Sequence, residues 1–126
     1  DELDDDAKDR VIDFLVKERY IDNGRYAEIF ARDKMRFNGW GEQKIRFELR
    51  RRKISDDDIE NALSEIEDSD FEEKLRSALE SKLRQMKPTE PLKMRASLIR
   101  FGASRGFQFD LIANVVDKIF RERLVD

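Results

Sequence analysis

The stretch GEQKIRFELRRRKISDDDIENALSEI, residues 41–66, predicts the fold class of this chain. Its apolar residues recur at helical spacing, first at Ile45 and Leu49 and then in a run that starts at Ile59. Between these runs, the segment Ser55–Asp58 has the form of a capping box with Asp in place of the usual Glu or Gln. Two consecutive helices are therefore expected, over residues 42–53 and 56–67.

The rest of the chain has the same helical pattern. Only five Gly and two Pro interrupt 126 residues, and no segment alternates with a period of two for long enough to predict a strand. Further helices are expected over residues 5–18, from the cap Asp22 to 37, from the cap Ser69 to 86, from Pro91 to Gly106, and over 109–124. Ala7, Val11, Phe14 and Leu15 are expected to form the buried face of the first helix, and Tyr26, Ile29, Phe30 and Phe37 that of the second.

These helices repeat along the chain. A shift of 49 residues aligns Tyr26, Phe30 and Phe37 with Leu75, Leu79 and Met86. A shift of 53 aligns Ile45, Ile54, Ile59, Ala62 and Leu63 with Leu98, Phe107, Ile112, Val115 and Val116. We therefore predict an all-α fold of tandem three-helix repeats that form an elongated, curved array. Residues 1–21 are expected to be the C-terminal part of a truncated first repeat, 22–67 the second repeat and 68–126 the third.

The composition excludes several kinds of chemistry. The chain has no Cys and no His, so thiolate catalysis, disulfides, Ser-His-Asp triads and Cys- or His-based zinc sites are ruled out. The acidic runs fall in first helical turns, where carboxylates cap the helix, and none has the spacing of a calcium-binding loop. We predict no catalytic residue, no metal, no cofactor and no membrane span, and expect a cytoplasmic monomer that is not an enzyme.

Charge is segregated along the chain, although 44% of the residues are charged and the net charge is only −3. Residues 25–53 carry 10 basic and 4 acidic residues, and residues 76–109 carry 8 basic and 2 acidic ones. The segment 54–75 between them carries 1 basic and 10 acidic residues. Two basic bands therefore alternate with acidic ones in step with the predicted repeat.

The basic run 50–53 allows two interpretations. At about 100° per residue, Arg46, Arg50 and Lys53 form one stripe and Lys44 and Arg51 form another, while the stem of Arg52 lies on the buried side. These cations either complement a helix C-terminus or form a surface for a polyanion or an acidic partner. The predicted partner-binding residues are Lys44, Arg46, Phe47, Arg50, Arg51, Lys53, Lys93, Arg95 and Arg100.

Two aromatic residues depart from the expected core pattern. Phe47 lies between the two basic stripes, away from Ile45 and Leu49. Trp40 lies in a turn flanked by Gly39 and Gly41, where it either packs beneath the loop or stands exposed for base stacking. We favour a tryptophan that closes a small core of its own.

An ordered set of short motifs resembles the RecX family of regulatory proteins. The set comprises Tyr20-Ile21-Asp22-Asn23-Gly24-Arg25-Tyr26-Ala27, Asn38-Gly39-Trp40-Gly41, Lys44-Ile45-Arg46-Phe47-Glu48-Leu49-Arg50 with Ile54, and Arg100-Phe101 with Arg105-Gly106-Phe107. The chain departs from the family pattern where Lys53 replaces the usual Gly before Ile54, and where Asn23-Gly24 replaces an acidic pair.

The resemblance implies an all-helical protein of tandem three-helix units. It further implies a protein that binds the RecA recombinase within the groove of its filament on single-stranded DNA, suppresses strand exchange and ATP hydrolysis, and so modulates DNA repair and the SOS response. The alternative is an independent helical module that binds nucleic acid, although the acidic bands count against tight binding to bare DNA.

Overall fold

The computed structural model describes residues 2–17 and 22–125, and it contains helices and no strands in those ranges. The helices are α1 (Glu2–Lys17), α2 (Asn23–Asn38), α3 (Glu42–Arg51), α4 (Asp56–Ser64), α5 (Asp68–Gln85), α6 (Pro91–Ser104) and α7 (Phe109–Val125). The prediction of an all-α helical repeat is confirmed. Within the chain, α2 packs mainly against α4, and α5, α6 and α7 pack against one another.

Helix starts follow the capping residues in two of three predicted cases. The Asp22 carboxylate accepts from the backbone N–H of Arg25 at 3.0 Å, and the Ser55 hydroxyl accepts from that of Asp58 at 3.2 Å. The predicted cap Ser69 is wrong, because α5 begins at Asp68 and Ser69 lies inside its first turn. The acidic residues 67, 68 and 70 favour a helix start on the N-terminal side of Ser69, since carboxylates are favourable near exposed N–H groups at a helix start.

The repeat is visible in burial and in backbone geometry. All five residue pairs related by the shift of 53 are buried, from Ile45 with Leu98 to Leu63 with Val116. The turns that follow α3 and α6 also match: Lys53 has φ 63° and Gly106 has φ 89°. Both positions need the left-handed backbone conformation that glycine adopts most easily. Lys53 therefore stands where the repeat calls for glycine.

The buried face predicted for α1 is wrong at three of its four residues, since only Leu15 is half-buried. Val11 and Phe14 are each 59% exposed, and Ala7 is exposed as well, whereas Ile12 packs against the core. The ion pairs of Asp9 and Asp13, which share the face of Ile12, turn this opposite side of the helix inward.

The second helix departs from its prediction near its C-terminal end. Tyr26 and Phe30 are buried as expected, but Ile29 is half exposed and Phe37 is exposed. The buried stripe of α2 instead ends at Met35, because the small residues Ala27 and Ala31 let α4 approach closely on that side.

A backbone contact joins the two groups of three helices. The N–H of Gly41 donates to the carbonyl of Arg105 at 2.8 Å, and the N–H of Gln43 donates to that of Gly106 at 2.8 Å. A Cβ atom at Gly41 would lie 2.5 Å from the Gly106 backbone, so the turns touch where only glycine fits. The turn before α3 and the turn after α6 are thereby held together.

Candidate partner-binding surfaces

Arg46, in the predicted stripe on α3, is held inside the fold. Its Nε atom lies 2.7 Å from Glu60 Oε1 on α4, and its Nη1 donates to Gln43 at 2.7 Å. These contacts raise the pKa of Arg46, chiefly through the hydrogen bond to Glu60, and that same bond lowers the pKa of the Glu60 carboxyl. The Arg46 side chain is only 17% exposed, and its guanidinium already donates hydrogen bonds to Glu60 and Gln43 within the fold.

Arg50 and Arg51 form looser ion pairs. Arg50 Nε lies 3.1 Å from Asp56 Oδ1, and Arg51 Nε lies 3.5 Å from Glu48 Oε2. Both arginine side chains are more than half exposed. Exposed pairs of this kind contribute about 0–1 kcal/mol, so a partner can displace these carboxylates at little cost.

Arg52 anchors α1 to the rest of the fold. Its guanidinium lies 3.1 Å from Asp13 and 3.4 Å from Asp9 on α1, and 2.9 Å from Glu48 on its own helix. It also stacks 4.7 Å from the centroid of the Phe30 ring, and its side chain is only 11% exposed. The expectation that its stem lies on the buried side is confirmed.

The outer face of α3 presents one exposed aromatic ring. Phe47 is 62% exposed and lies among the charged residues of the helix, as the sequence pattern indicated. Lys53 is exposed at the end of the same helix. Trp40 is partly buried and packs edge-on to Phe30 with 6.1 Å between ring centroids, so it does pack beneath the loop, but against the main core and not in a small core of its own.

The predicted residues on α6 have three different environments. Lys93 is exposed near the start of the helix. Arg95 forms an ion pair with Asp117 on α7 and is therefore engaged within the fold. Arg100 is exposed and donates to the hydroxyl of Ser97 at 3.2 Å.

The structure brings together four cations that no periodicity in the sequence connects. Arg105 Cζ and Lys82 Nζ lie 5.2 Å and 5.5 Å from the centroid of the Phe101 ring. Arg100 lines the same groove as Lys82. We call Lys44, Lys82, Arg100 and Arg105 the junction cluster.

Lys44 joins the junction cluster through the contact between the two turns. Its Cβ atom lies against Gly106, the residue after Arg105, and its Nζ lies 4.7 Å from the Trp40 ring centroid. The guanidinium of Arg105 in turn donates to the carbonyl of Asn38 at 3.4 Å. The two basic bands of the sequence thus meet at the junction. Lys82 and Arg105 were not among the partner-binding residues predicted from the sequence, although both lie in the basic segment 76–109 and Arg105 belongs to the motif Arg105-Gly106-Phe107.

Two other kinds of site are not supported in the described part of the chain. No group of three or more acidic residues there is placed to hold a metal ion. None of the helices that the structure describes is long and apolar enough to cross a membrane. The surface chemistry is therefore that of cations, exposed aromatic rings and ion pairs.

Tandem groups of three helices, joined through their turns and carrying charged outer faces, define a helical-repeat protein. The chain belongs to the RecX family. The model of the second three-helix domain of RecX matches residues 22–63, and that of the third matches residues 68–116. RecX proteins are regulatory proteins, as the names of the relatives state, rather than a family of enzymes.

Individual relatives agree with this membership. The regulatory protein RecX of Clostridium botulinum (strain Eklund 17B / Type B) is 33% identical over 125 residues, which are 98% of this chain and 58% of that protein. The RecX of Pseudomonas putida (strain GB-1) is 35% identical over 83% of this chain and 65% of its own length. The chain thus spans less than two thirds of these relatives. A crystal structure of RecX from Lactobacillus salivarius has the same fold, with a TM-score of 0.74 and 22% identity over 87% of this chain and 71% of that one.

Proposed function

We propose that this protein binds the RecA recombinase filament on single-stranded DNA and thereby inhibits strand exchange and ATP hydrolysis. In this role it modulates DNA repair, homologous recombination and the SOS response. The proposal includes a monomeric protein without a cofactor, in the cytoplasm. It also includes the division of the chain into the end of one repeat (1–21) and two further repeats (22–67 and 68–126).

The exposed face of α3 is the observation that carries this proposal beyond family membership. Phe47 offers an apolar centre, and Arg50, Arg51 and Lys53 surround it with cations that are free or weakly paired within the described residues. Interfaces between proteins commonly combine an aromatic anchor with a polar rim, and the anchor contributes most of the affinity. The surrounding charges would speed the encounter and set the register on the filament.

The test compares two exposed phenylalanines of the same protein. Phe47→Ala is expected to weaken co-sedimentation with RecA filaments by about tenfold or more, because truncation of an aromatic anchor costs about 2 kcal/mol. It should equally weaken the inhibition of RecA ATP hydrolysis. Phe109→Ala is the matched control, since Phe109 is 64% exposed at the start of α7 and lies on a different helix from Phe47.

Two results would contradict the proposal. Equal filament binding by Phe47→Ala and by the unmodified protein would remove α3 from the interface. A failure of the unmodified protein to bind filaments at all would remove the function itself. Thermal unfolding of both variants, followed by circular dichroism, shows whether a loss of binding comes from a loss of folding.

A second candidate is the independent nucleic-acid-binding module, which the junction cluster favours. The two candidates differ in whether binding depends on RecA. A filament regulator binds only when RecA is present on the DNA, whereas the module binds bare DNA with an affinity similar to that for the filament. The net charge of −3 weighs against the module, because acidic bands repel the phosphate backbone.

A further inference from the structure

The junction cluster gathers cations from both groups of three helices. Lys44 belongs to α3, Lys82 to α5, and Arg100 and Arg105 to the C-terminal half of α6 and its cap. The backbone hydrogen bonds of Gly41 and Gln43 to residues 105 and 106 fix these elements against each other. These bonds hold the backbone at Lys44 and Arg105 together, and the packing of α5 against α6 places Lys82 beside Arg100 and Phe101.

These four cations lack the partners that neutralise α3. In the part of the chain that the structure describes, Lys44, Lys82, Arg100 and Arg105 have no carboxylate oxygen within ion-pair distance, 4.0 Å. Their close contacts are with the rings of Trp40 and Phe101, a serine hydroxyl and a main-chain carbonyl. A cation on an aromatic ring keeps its full charge. The cluster is thus a local excess of positive charge on a protein with a net negative charge.

The ring contacts also order the long side chains. Lys82 and Arg105 both lie on Phe101, and Lys44 lies on Trp40. Lysine and arginine lose considerable rotamer entropy when they bind a ligand, and side chains that are already held lose less of it. This preorganisation favours an anion that contacts several of the cations at once.

Beside the cations lies a shallow groove of about 340 Å³ between α5 and α6. It is lined by Met86 and Phe101 together with Lys82, Ser97 and Arg100. Apolar side chains next to basic ones suit an unpaired base and its neighbouring phosphates, since bases of single strands contact aromatic and apolar groups while the backbone follows a positive surface. A duplex keeps its bases stacked inside and would leave these side chains without a partner.

We infer that the junction cluster binds consecutive phosphates of single-stranded nucleic acid, with one base in the groove between α5 and α6. This inference rests on the proposed function for its setting, because the proposed filament contains single-stranded DNA. It adds a site that does not include Phe47, Arg50 or Arg51, and it uses Lys82 and Arg105, which were not among the predicted partner-binding residues.

The experiment measures binding of fluorescein-labelled oligothymidylate by fluorescence anisotropy from about 50 to 200 mM NaCl. The junction variant combines Lys44→Gln, Lys82→Gln, Arg100→Gln and Arg105→Gln. It is expected to bind at least about tenfold more weakly at low salt. The slope of log K against log salt should become shallower by about 0.7 for each phosphate that the variant no longer neutralises.

A control variant with the same change in net charge shows whether the effect depends on the position of the removed charges or only on their number. It combines Arg25→Gln, Arg32→Gln, Arg121→Gln and Arg123→Gln, four exposed arginines without an ion pair among the described residues. Its salt slope is expected to match that of the unmodified protein. Equal losses of affinity in the two variants would overturn the inference, and so would an unmodified protein that does not bind oligothymidylate.

Lys82→Gln alone keeps the test decisive if the junction variant does not fold. The Lys82 ammonium lies on the surface over Phe101, so the single variant should keep the melting temperature of the protein and bind about threefold more weakly. Unchanged affinity would overturn the inference.

Two measurements together separate the two proposals: filament co-sedimentation of Phe47→Ala and oligothymidylate binding by the junction variant. Loss of filament binding in Phe47→Ala, with normal oligothymidylate binding by the junction variant, would overturn the junction site and leave the filament function supported. Normal filament binding by Phe47→Ala, with loss of oligothymidylate binding by the junction variant, would support the junction site and overturn the α3 interface.

Discussion

The basic face of α3 and the junction cluster hold similar numbers of cations but differ in what surrounds them. Arg46, Arg50 and Arg51 each have a carboxylate within 4.0 Å, and these carboxylates come from α3 itself or from α4. The cations of the junction cluster have aromatic rings and neutral oxygens instead. A dense basic run in a sequence is therefore not wholly a free basic surface, because the fold engages one of its cations, Arg46, and pairs Arg50 and Arg51 loosely.

The junction cluster depends on the contact between the turn before α3 and the turn after α6. Gly41→Ala would place a Cβ atom 2.5 Å from the backbone of Gly106 and Phe107, and relief of this clash would separate turns that share two backbone hydrogen bonds. We expect a loss of about 3 kcal/mol in the free energy of unfolding, measured by urea denaturation. Binding of oligothymidylate should fall with it.

Gly39→Ala is the matched control for this prediction. Gly39 has φ +68° but no atom within 4 Å of an added Cβ, so the substitution causes only backbone strain of about 1 kcal/mol. Equal destabilisation by the two variants would show that the close contact between the turns is not the reason why Gly41→Ala destabilises the protein.

The arginines of the basic run differ in how much they stabilise the fold. Arg52→Gln removes the common partner of Asp9, Asp13 and Glu48. We expect a loss of about 2 kcal/mol, because hydrogen bonds to charged groups are worth more than neutral ones and the carboxylates are left partly buried. Limited proteolysis should then cleave near α1 faster. Arg50→Gln, which removes an exposed pair, should change stability by less than about 0.5 kcal/mol, and a larger effect would contradict the distinction between the two arginines.

The smallest expected change in stability concerns the ion pair between Arg46 and Glu60. The hydrogen bond from Arg46 lowers the pKa of the Glu60 carboxyl below its ordinary value of 4.5. A carboxyl with a lowered pKa in the folded state stabilises the protein above that ordinary value, and this contribution disappears as the pH falls through the folded-state pKa. Since Glu60 is half exposed, the contribution should be below about 1 kcal/mol.

An NMR titration of the Glu60 side-chain carboxyl carbon measures this shift directly. Arg46→Gln should return the midpoint towards the ordinary value and remove the matching part of the loss of stability in acid. An unchanged midpoint in the variant would show that Arg46 is not the cause.

Much of the fold could be predicted from local patterns. The seven helices found in residues 2–17 and 22–125, the caps Asp22 and Ser55, and the five buried pairs related by a shift of 53 all follow from residue types and spacing within each segment. The misplaced cap Ser69 is a local error at the start of α5, whereas the errors on α1 lie where a tertiary contact decided. Val11 and Phe14 have apolar spacing on α1, yet the ion pairs with Arg52 turn the opposite face inward.

The candidate surfaces could be predicted only in part. The exposure of Phe47 followed from its position opposite Ile45 and Leu49 on one helix. The engagement of Arg46 by Glu60 and of Arg95 by Asp117 did not, because each carboxylate lies on a different helix. Periodicity within one helix says nothing about charges that arrive from another.

The sequence by itself determined the helices, their repeat and the two basic bands, since these depend on residues within a few turns of one another. Only the tertiary structure decided which cations stay available. It placed Lys44 beside Arg105 because two glycine turns, far apart in the chain, can approach closely enough to share backbone hydrogen bonds. Such an approach depends on the packing of whole helices, so no local pattern could have predicted the junction cluster.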